Sequence, residues 1–123
     1  MILEIRLSNF FSIMDEVVLD MQAANIQSKK AKGLKGNTCK CGGVKVLKTV
    51  AIYGANASGK SNLIKALSFF KWFTMNSSKD VQAGEKIPVS SFALSTASVA
   101  EPSLFEIVIL IGEDNYRYGF EAS

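Results

Sequence analysis

The chain has no histidine and only two cysteines among its 123 residues. Those two, Cys39 and Cys41, are one residue apart, which makes a loop too tight to staple a fold. Structural zinc normally takes four ligands. Cys39-Lys40-Cys41-Gly42-Gly43 therefore reads as two reduced surface thiols, or else as part of a site completed by another chain or by carboxylates. No apolar run reaches the roughly 18 residues of a membrane span, the longest lying around Leu104–Ile111 and Ala66–Phe73. The opening Met1-Ile2-Leu3-Glu4-Ile5-Arg6 carries charges inside its apolar stretch and lacks a basic leader, so no secretory signal is read. These absences give the expectation of a cytoplasmic protein with no membrane partner. What is present, 48% hydrophobic and 20% charged residues, is enough for a core and argues against a wholly disordered chain. The length matches a single domain of roughly 100–150 residues.

The net charge of +3 conceals an asymmetry. Seven lysines (29, 30, 32, 35, 40, 45 and 48) fall between Gln22 and Lys48 with no acidic residue, while the rest of the chain carries seven basic against eleven acidic residues. With Gly33, Gly36, Gly42 and Gly43 and little hydrophobic periodicity, residues 22–48 read as a mobile basic loop. A solvated loop is the simpler reading; the alternative is contact with DNA or RNA through the lysine-rich stretch 29–48.

Residues 2–7 alternate, with Leu3, Ile5 and Leu7 on one face and Glu4 and Arg6 on the other, and a second alternating run places Val17, Leu19 and Met21 together. The two runs predict an antiparallel hairpin over 1–21. Val46-Leu47-Lys48-Thr49-Val50-Ala51-Ile52-Tyr53 ends almost continuously apolar, the pattern of a central strand covered on both faces. From residue 60 the period changes to that of a helix. Leu63, Leu67, Phe70 and Thr74 form a stripe that Ile64, Ala66 and Phe73 widen, and Phe69, Phe70, Trp72 and Phe73 make its far end aromatic on more than one side. Core packing explains those rings most simply; an interface is the alternative. Residues 76–103 read as loop with a short extended candidate at Ile87–Leu94, and Leu104–Ile111 with Tyr116–Phe120 predict a closing hairpin over 104–122.

Gly54-Ala55-Asn56-Ala57-Ser58-Gly59-Lys60-Ser61 fits G-x-x-x-x-G-K-[ST] completely, after an apolar run and at the start of helical periodicity. Gly54 allows a tight exit from the strand, and Gly59 lets the backbone approach a phosphate without a Cβ clash. Amides from about Ala57 to Ser61 are expected to form an anion nest at the positive end of the helix. Lys60 is expected to neutralise β- and γ-phosphate charge, and the Ser61 hydroxyl to hold Mg²⁺. The candidate ATP- or ADP-binding residues are thus Gly54, Asn56, Ala57, Ser58, Gly59, Lys60, Ser61 and Asn62, with Ser61 the candidate Mg²⁺ ligand. The bland alternative is a glycine-rich turn capping an ordinary helix.

Gly54 to Leu63 resembles the phosphate loop of ABC-type ATPase heads in the SMC/RecF group, where G-x-N-G-S-G-K-S-N is usual. With Ala57 in place of the commoner glycine it is similar to bacterial AAA-15-like ATPases, relatives of RecF and of the OLD-type proteins linked to phage defence. Ile5-Arg6-Leu7-Ser8-Asn9-Phe10-Phe11-Ser12 resembles the same group's opening strand and N-F-R-S, and Phe105–Val108 and Tyr116–Phe120 resemble its later segments. Phe11 stands where that group commonly has arginine; it reads as a buried apolar residue, with stacking on adenine the alternative.

No L-S-G-G-Q-like segment occurs. Ile107–Asp114 offers a hydrophobic run followed by Glu113 and Asp114, but Gly112 interrupts the usual Walker B pattern and Tyr116, Tyr118 and Phe120 alternate directly after it. A hairpin turn is the preferred reading. The resemblance implies an α+β fold of the P-loop NTPase class, an ABC-ATPase-like N-terminal lobe in which a central strand, phosphate loop and helix are flanked by antiparallel hairpins. It also implies ATP binding, a homodimer of heads in a longer protein, and hydrolysis that needs that longer protein. The alternatives are a compact phosphotransferase using Glu113 or Asp114 as Walker B acid, and a non-catalytic interaction module with a nucleotide held structurally.

Overall fold

The computed structural model describes residues 1–25, 36–55, 59–76 and 100–122. Its main sheet has four strands, β1 (Ile2–Ser8), β2 (Val17–Asp20), β5 (Ser103–Ile111) and β6 (Asp114–Ala122), in the order β2-β1-β5-β6 with every neighbour antiparallel. A separate hairpin joins β3 (Thr38–Cys41) to β4 (Val44–Leu47), and one helix, α1, runs from Lys60 to Asn76. The mixture of an antiparallel sheet and a helix packed on it is α+β.

Register explains which face is buried. Leu19, Ile5 and Ile107 lie in one cross-strand row, and Val17, Leu7, Phe105 and Phe120 in the next. Period-2 alternation therefore makes the face that carries these rows apolar, and α1 lies against it. Ile5, Leu7, Phe10, Leu63, Ala66 and Phe105 are buried together, with Leu67, Phe69, Phe70 and Phe120 packed around them. Burial of such side chains stabilises the fold by about 1.5–3 kcal/mol each. Phe73 stacks on Phe120 at 3.9 Å between centroids, and Phe69 reaches Phe105 at 5.1 Å. The opposite face is charged at Glu4, Arg6 and Glu106 and apolar at Val108 and Leu110. Arg6 is bonded to Glu4 and also faces Glu16 at 3.6 Å and Glu106 at 3.7 Å. The Glu4 hydrogen bond and charge, then Glu16 and Glu106, hold the Arg6 pKa above its ordinary value.

Four expectations are corrected here. The stretch 46–53 is not a central strand. β4 ends at Leu47, residues 49–55 belong to neither sheet, and Tyr53 is 89% exposed. An apolar run becomes a strand only where ladder partners satisfy its backbone, and the centre of the sheet is instead the direct β1–β5 pair. The span 22–48 is not all loop, because β3 and β4 pair within it. Gly42 and Gly43, at φ 53° and 79°, supply the two positive-φ positions that a two-residue hairpin turn takes. On α1 the buried stripe is rotated from the expected one: Ile64 is 58% exposed while Phe69 packs inward. Core packing accounts for Phe69, Phe70 and Phe73, whereas Trp72 is exposed. Phe11 is also exposed rather than buried. The extended candidate at Ile87–Leu94 lies outside the described residues.

The β3–β4 hairpin has its own small core. Val46 is fully buried against Leu3 and Leu110, with Met21, Cys41, Val44 and Val108 around them. Leu3 sits where the β1–β5 register shifts between Ile2 and Glu4, the kind of irregularity that re-aims a side chain.

Candidate phosphate-binding site

The helix begins at the lysine of the glycine-rich loop. Gly59 adopts φ 95°, a conformation an L side chain rarely takes, and a Cβ there would lie 3.2 Å from Ser12 Oγ. Its carbonyl accepts the first helical hydrogen bond, from the Leu63 amide at 3.0 Å. Gly59 is thus the cap, and the amides of Lys60, Ser61 and Asn62 precede the helical hydrogen-bond ladder. The first turn contains no acidic residue, so the helix's own first turn puts no carboxylate at the positive end of its dipole. Glycine at this place serves both the turn and the close approach to Ser12.

Lys60 Nζ reaches back across the loop, donating to Gly54 O and, at 2.6 Å, to Ala55 O. The two ends of the loop are drawn together by one cation. Two grooves flank it: one of about 380 Å³ lined by Val50, Ile52, Lys60, Ser61 and Ile64, another of about 300 Å³ whose lining includes Ile13, Tyr53, Gly54, Gly59 and Lys60. These are the dimensions of small-molecule sites, roughly 300–1,000 Å³. The lysine, three amides at a helix start and the glycine conformation fit a bound phosphate chain, and Ser61, exposed beside Lys60, fits a hydroxyl ligand to a phosphate-bound cation. Asn56, Ala57 and Ser58 lie outside the described residues.

The loop is seated on a turn that follows β1. Phe10 and Ile13 exchange backbone hydrogen bonds of 2.8 and 2.9 Å, enclosing Phe11 and Ser12. Asn62 Nδ2 donates to Ser12 Oγ at 2.6 Å, which ties α1 to this turn. Phe11 takes φ 49°, and Lys65 Nζ stands 5.1 Å over its ring, within the range of a cation–π contact. Asn9, only 4% exposed and at φ 51°, donates from Nδ2 to Glu101 O at 2.8 Å, while Ser103 Oγ donates to Asn9 O. From the sequence, Ser8-Asn9 reads as turn chemistry, which the structure bears out, while Ser12 enters only through the resemblance of Asn9-Phe10-Phe11-Ser12 and carries no role of its own. Asparagine's tolerance of positive φ is the physical basis of that turn signal.

Other candidates fall elsewhere. Glu113 lies in the turn between β5 and β6, and Asp114 pairs with Ile111 at the start of β6. Leu104 pairs with Ser8, beside the Asn9–Ile13 turn, so Ile111 stands seven residues along β5 from that end, about 23 Å away at strand rise. The acids are at the opposite end of the sheet from the loop. Lys40 and Lys45 face each other across the β3–β4 hairpin and Lys48 Nζ donates to Gly36 O at 3.2 Å; Lys29, Lys30, Lys32 and Lys35 lie outside the described residues. Among the described residues no helix is long and apolar enough to cross a membrane.

Residues 50–123, well over half of the chain, match the model of the family described as "AAA domain, putative AbiEii toxin, Type IV TA system". Neither the curated proteins nor the solved structures give a match.

Proposed function

The chain belongs to this AAA-domain family and so carries a P-loop ATPase-type nucleotide-binding domain; within that frame, we propose that it is the ATP-binding lobe of a cytoplasmic ATPase head of the SMC/RecF/OLD kind. Mg-ATP binds with its phosphates around Gly59, Lys60 and Ser61. The observation that carries the reading is Gly59 at φ 95° opening α1 beside Lys60, which already bridges the loop to Gly54 and Ala55. On binding, Lys60 exchanges those carbonyl acceptors for β- and γ-phosphate oxygens. The helix-start amides would receive the phosphate charge, and Ser61 would supply its hydroxyl to Mg²⁺. Asn56, Ala57, Ser58 and Asn62 are the further nucleotide-binding residues of this reading.

Hydrolysis needs a placed water, a general base and further charge around the γ-phosphate. The proposed reading has these supplied by groups beyond the 123 residues, in a dimer of heads closing over ATP, with nucleic-acid contact through the lysines of 29–48 a further part of it. The compact-phosphotransferase reading is disfavoured by the separation of Glu113 and Asp114 from the loop. Titration calorimetry with Mg-ATP tests the assignment. Lys60→Ala removes a charge-assisted contact of about 1.5–3 kcal/mol, so affinity should fall about ten- to a hundredfold. Equal affinities for the two proteins would refute it.

A further inference from the structure

The β3–β4 hairpin carries chemistry that the phosphate site does not use. Cys39 pairs with Val46 and Cys41 with Val44, so alternation places both cysteines on the face these valines share. That face is anchored, since Cys41 and Val44 rest on the Leu3–Val46–Leu110 cluster. The tip is seated too: a Cβ on Gly42 would lie 3.4 Å from both the Gly112 carbonyl and Leu110 Cδ1. Residues two apart on a strand are separated by about 6.6 Å along the backbone. The two sulfurs are nevertheless only 3.3 Å apart, leaning toward each other.

Two sulfurs so placed match what one thiophilic ion asks for. Thiolates at about 2.3 Å from one ion stand about 3.8 Å apart at a tetrahedral angle and about 4.6 Å apart in the near-linear arrangement of a two-coordinate d¹⁰ ion, so the pair would open by about 1.3 Å through side-chain rotation. A full tetrahedral zinc set is not at hand. The chain has no histidine, and among the described residues no group of three or more His, Cys, Asp or Glu side chains could hold a metal. An ion satisfied by two soft ligands is the remaining fit, and thiolate sulfur favours the soft Cu(I) class. Both cysteines are half-buried, which leaves an approach from solvent.

We propose that Cys39 and Cys41 form a two-thiolate site for a soft monovalent d¹⁰ cation of the Cu(I) class. Binding forms two metal–sulfur bonds and releases one proton from each thiol to solvent; no electron is transferred. The hydrogen bond with Cys39, together with burial, raises the Cys41 pKa; because binding releases thiol protons, metal uptake strengthens with rising pH. The occupied site would clip the end of β3 beside the turn that rests on β5 and β6.

The test is an anaerobic titration of the reduced chain with Ag(I), and with Cu(I) buffered by a competing chelator, read by thiolate-to-metal charge-transfer absorption. The expected result is one ion per chain, with affinity falling about 10²–10⁴-fold in Cys39→Ser and in Cys41→Ser as the second ligand is lost. Unchanged affinity in either serine variant overturns the proposal. Two measurements on the unaltered chain keep it open to refutation even if a variant folds poorly. Competition no better than that of glutathione sulfur overturns it, and so does one ion per two chains with a doubled mass on gel filtration.

Discussion

Replacing Asn9 tests how the turn beneath the phosphate loop is held. Asn9 combines a positive φ of 51° with a buried side-chain amide that donates to Glu101 O across 92 residues of sequence. Asn9→Ala removes the hydrogen bond, a loss of about 1 kcal/mol. It also places a plain L side chain in the left-handed region, at about 1–2 kcal/mol. The sum is about 2–3 kcal/mol of stability. Asn9→Gly loses the same hydrogen bond but fits the backbone without strain, so it should cost less, about 1–2 kcal/mol including the added chain entropy of glycine. Urea unfolding of the three proteins gives the ranking directly, and the slope m should be unchanged because the surface exposed is the same. Expected stability falls in the order Asn9, glycine, alanine. Glycine and alanine variants of equal stability would show that the positive φ costs nothing there, and two neutral variants would refute the hydrogen-bonded account of the turn altogether.

Glu113→Gln combined with Asp114→Asn should leave Mg²⁺-dependent nucleotide affinity within about twofold, as for surface substitutions remote from a site; a large loss in the folded variant, seen by calorimetry, would promote the phosphotransferase reading. Gly119→Ala puts a Cβ 2.8 Å from the Phe105 carbonyl of the neighbouring strand. Forcing the two strands apart should cost about 1–3 kcal/mol, and a thermal melt indistinguishable from the parent's would contradict the β5–β6 packing.

The parts of the fold that can be read from the sequence are those whose pattern is local. Leu3, Ile5 and Leu7 alternate with Glu4 and Arg6, and the structure buries the first three. The helix starts at Lys60, where the glycine-rich loop meets helical periodicity. Patterns say less about partners. Val50 to Tyr53 have the composition of a central strand, but composition specifies an apolar environment, not the ladder that makes a strand. Spacing alone fixes the width of the stripe on α1 better than its rotation; Phe120 and Phe105 on the sheet decide that Phe69 points inward and Ile64 outward. The β3–β4 hairpin was hidden by its lysines. Cys39, Cys41, Val44 and Val46 alternate with Lys40 and Lys45 around Gly42-Gly43, a legible hairpin signal once the charge is set aside.

The candidate site divides along the same line. The glycine-rich loop is a local device, and its residue types follow from the backbone approach they permit. Its seat is not local. Gly59 and Asn62 meet Ser12, Ser12 belongs to the turn that Phe10 and Ile13 close, and Asn9 binds that turn to Glu101 and Ser103 at the start of β5. Two non-glycine residues at positive φ, Asn9 and Phe11, lie within this chain of contacts. Such conformations persist only where the surroundings over-determine them, and here the surroundings come from segments about ninety residues apart in sequence. The phosphate loop therefore acquires its floor only when β1 and β5 have paired. Loop closure of that length costs entropy before any contact repays it, so the ordering of the turn should follow the sheet, and a perturbation at Asn9 should loosen the floor of the loop without touching a residue of the loop itself.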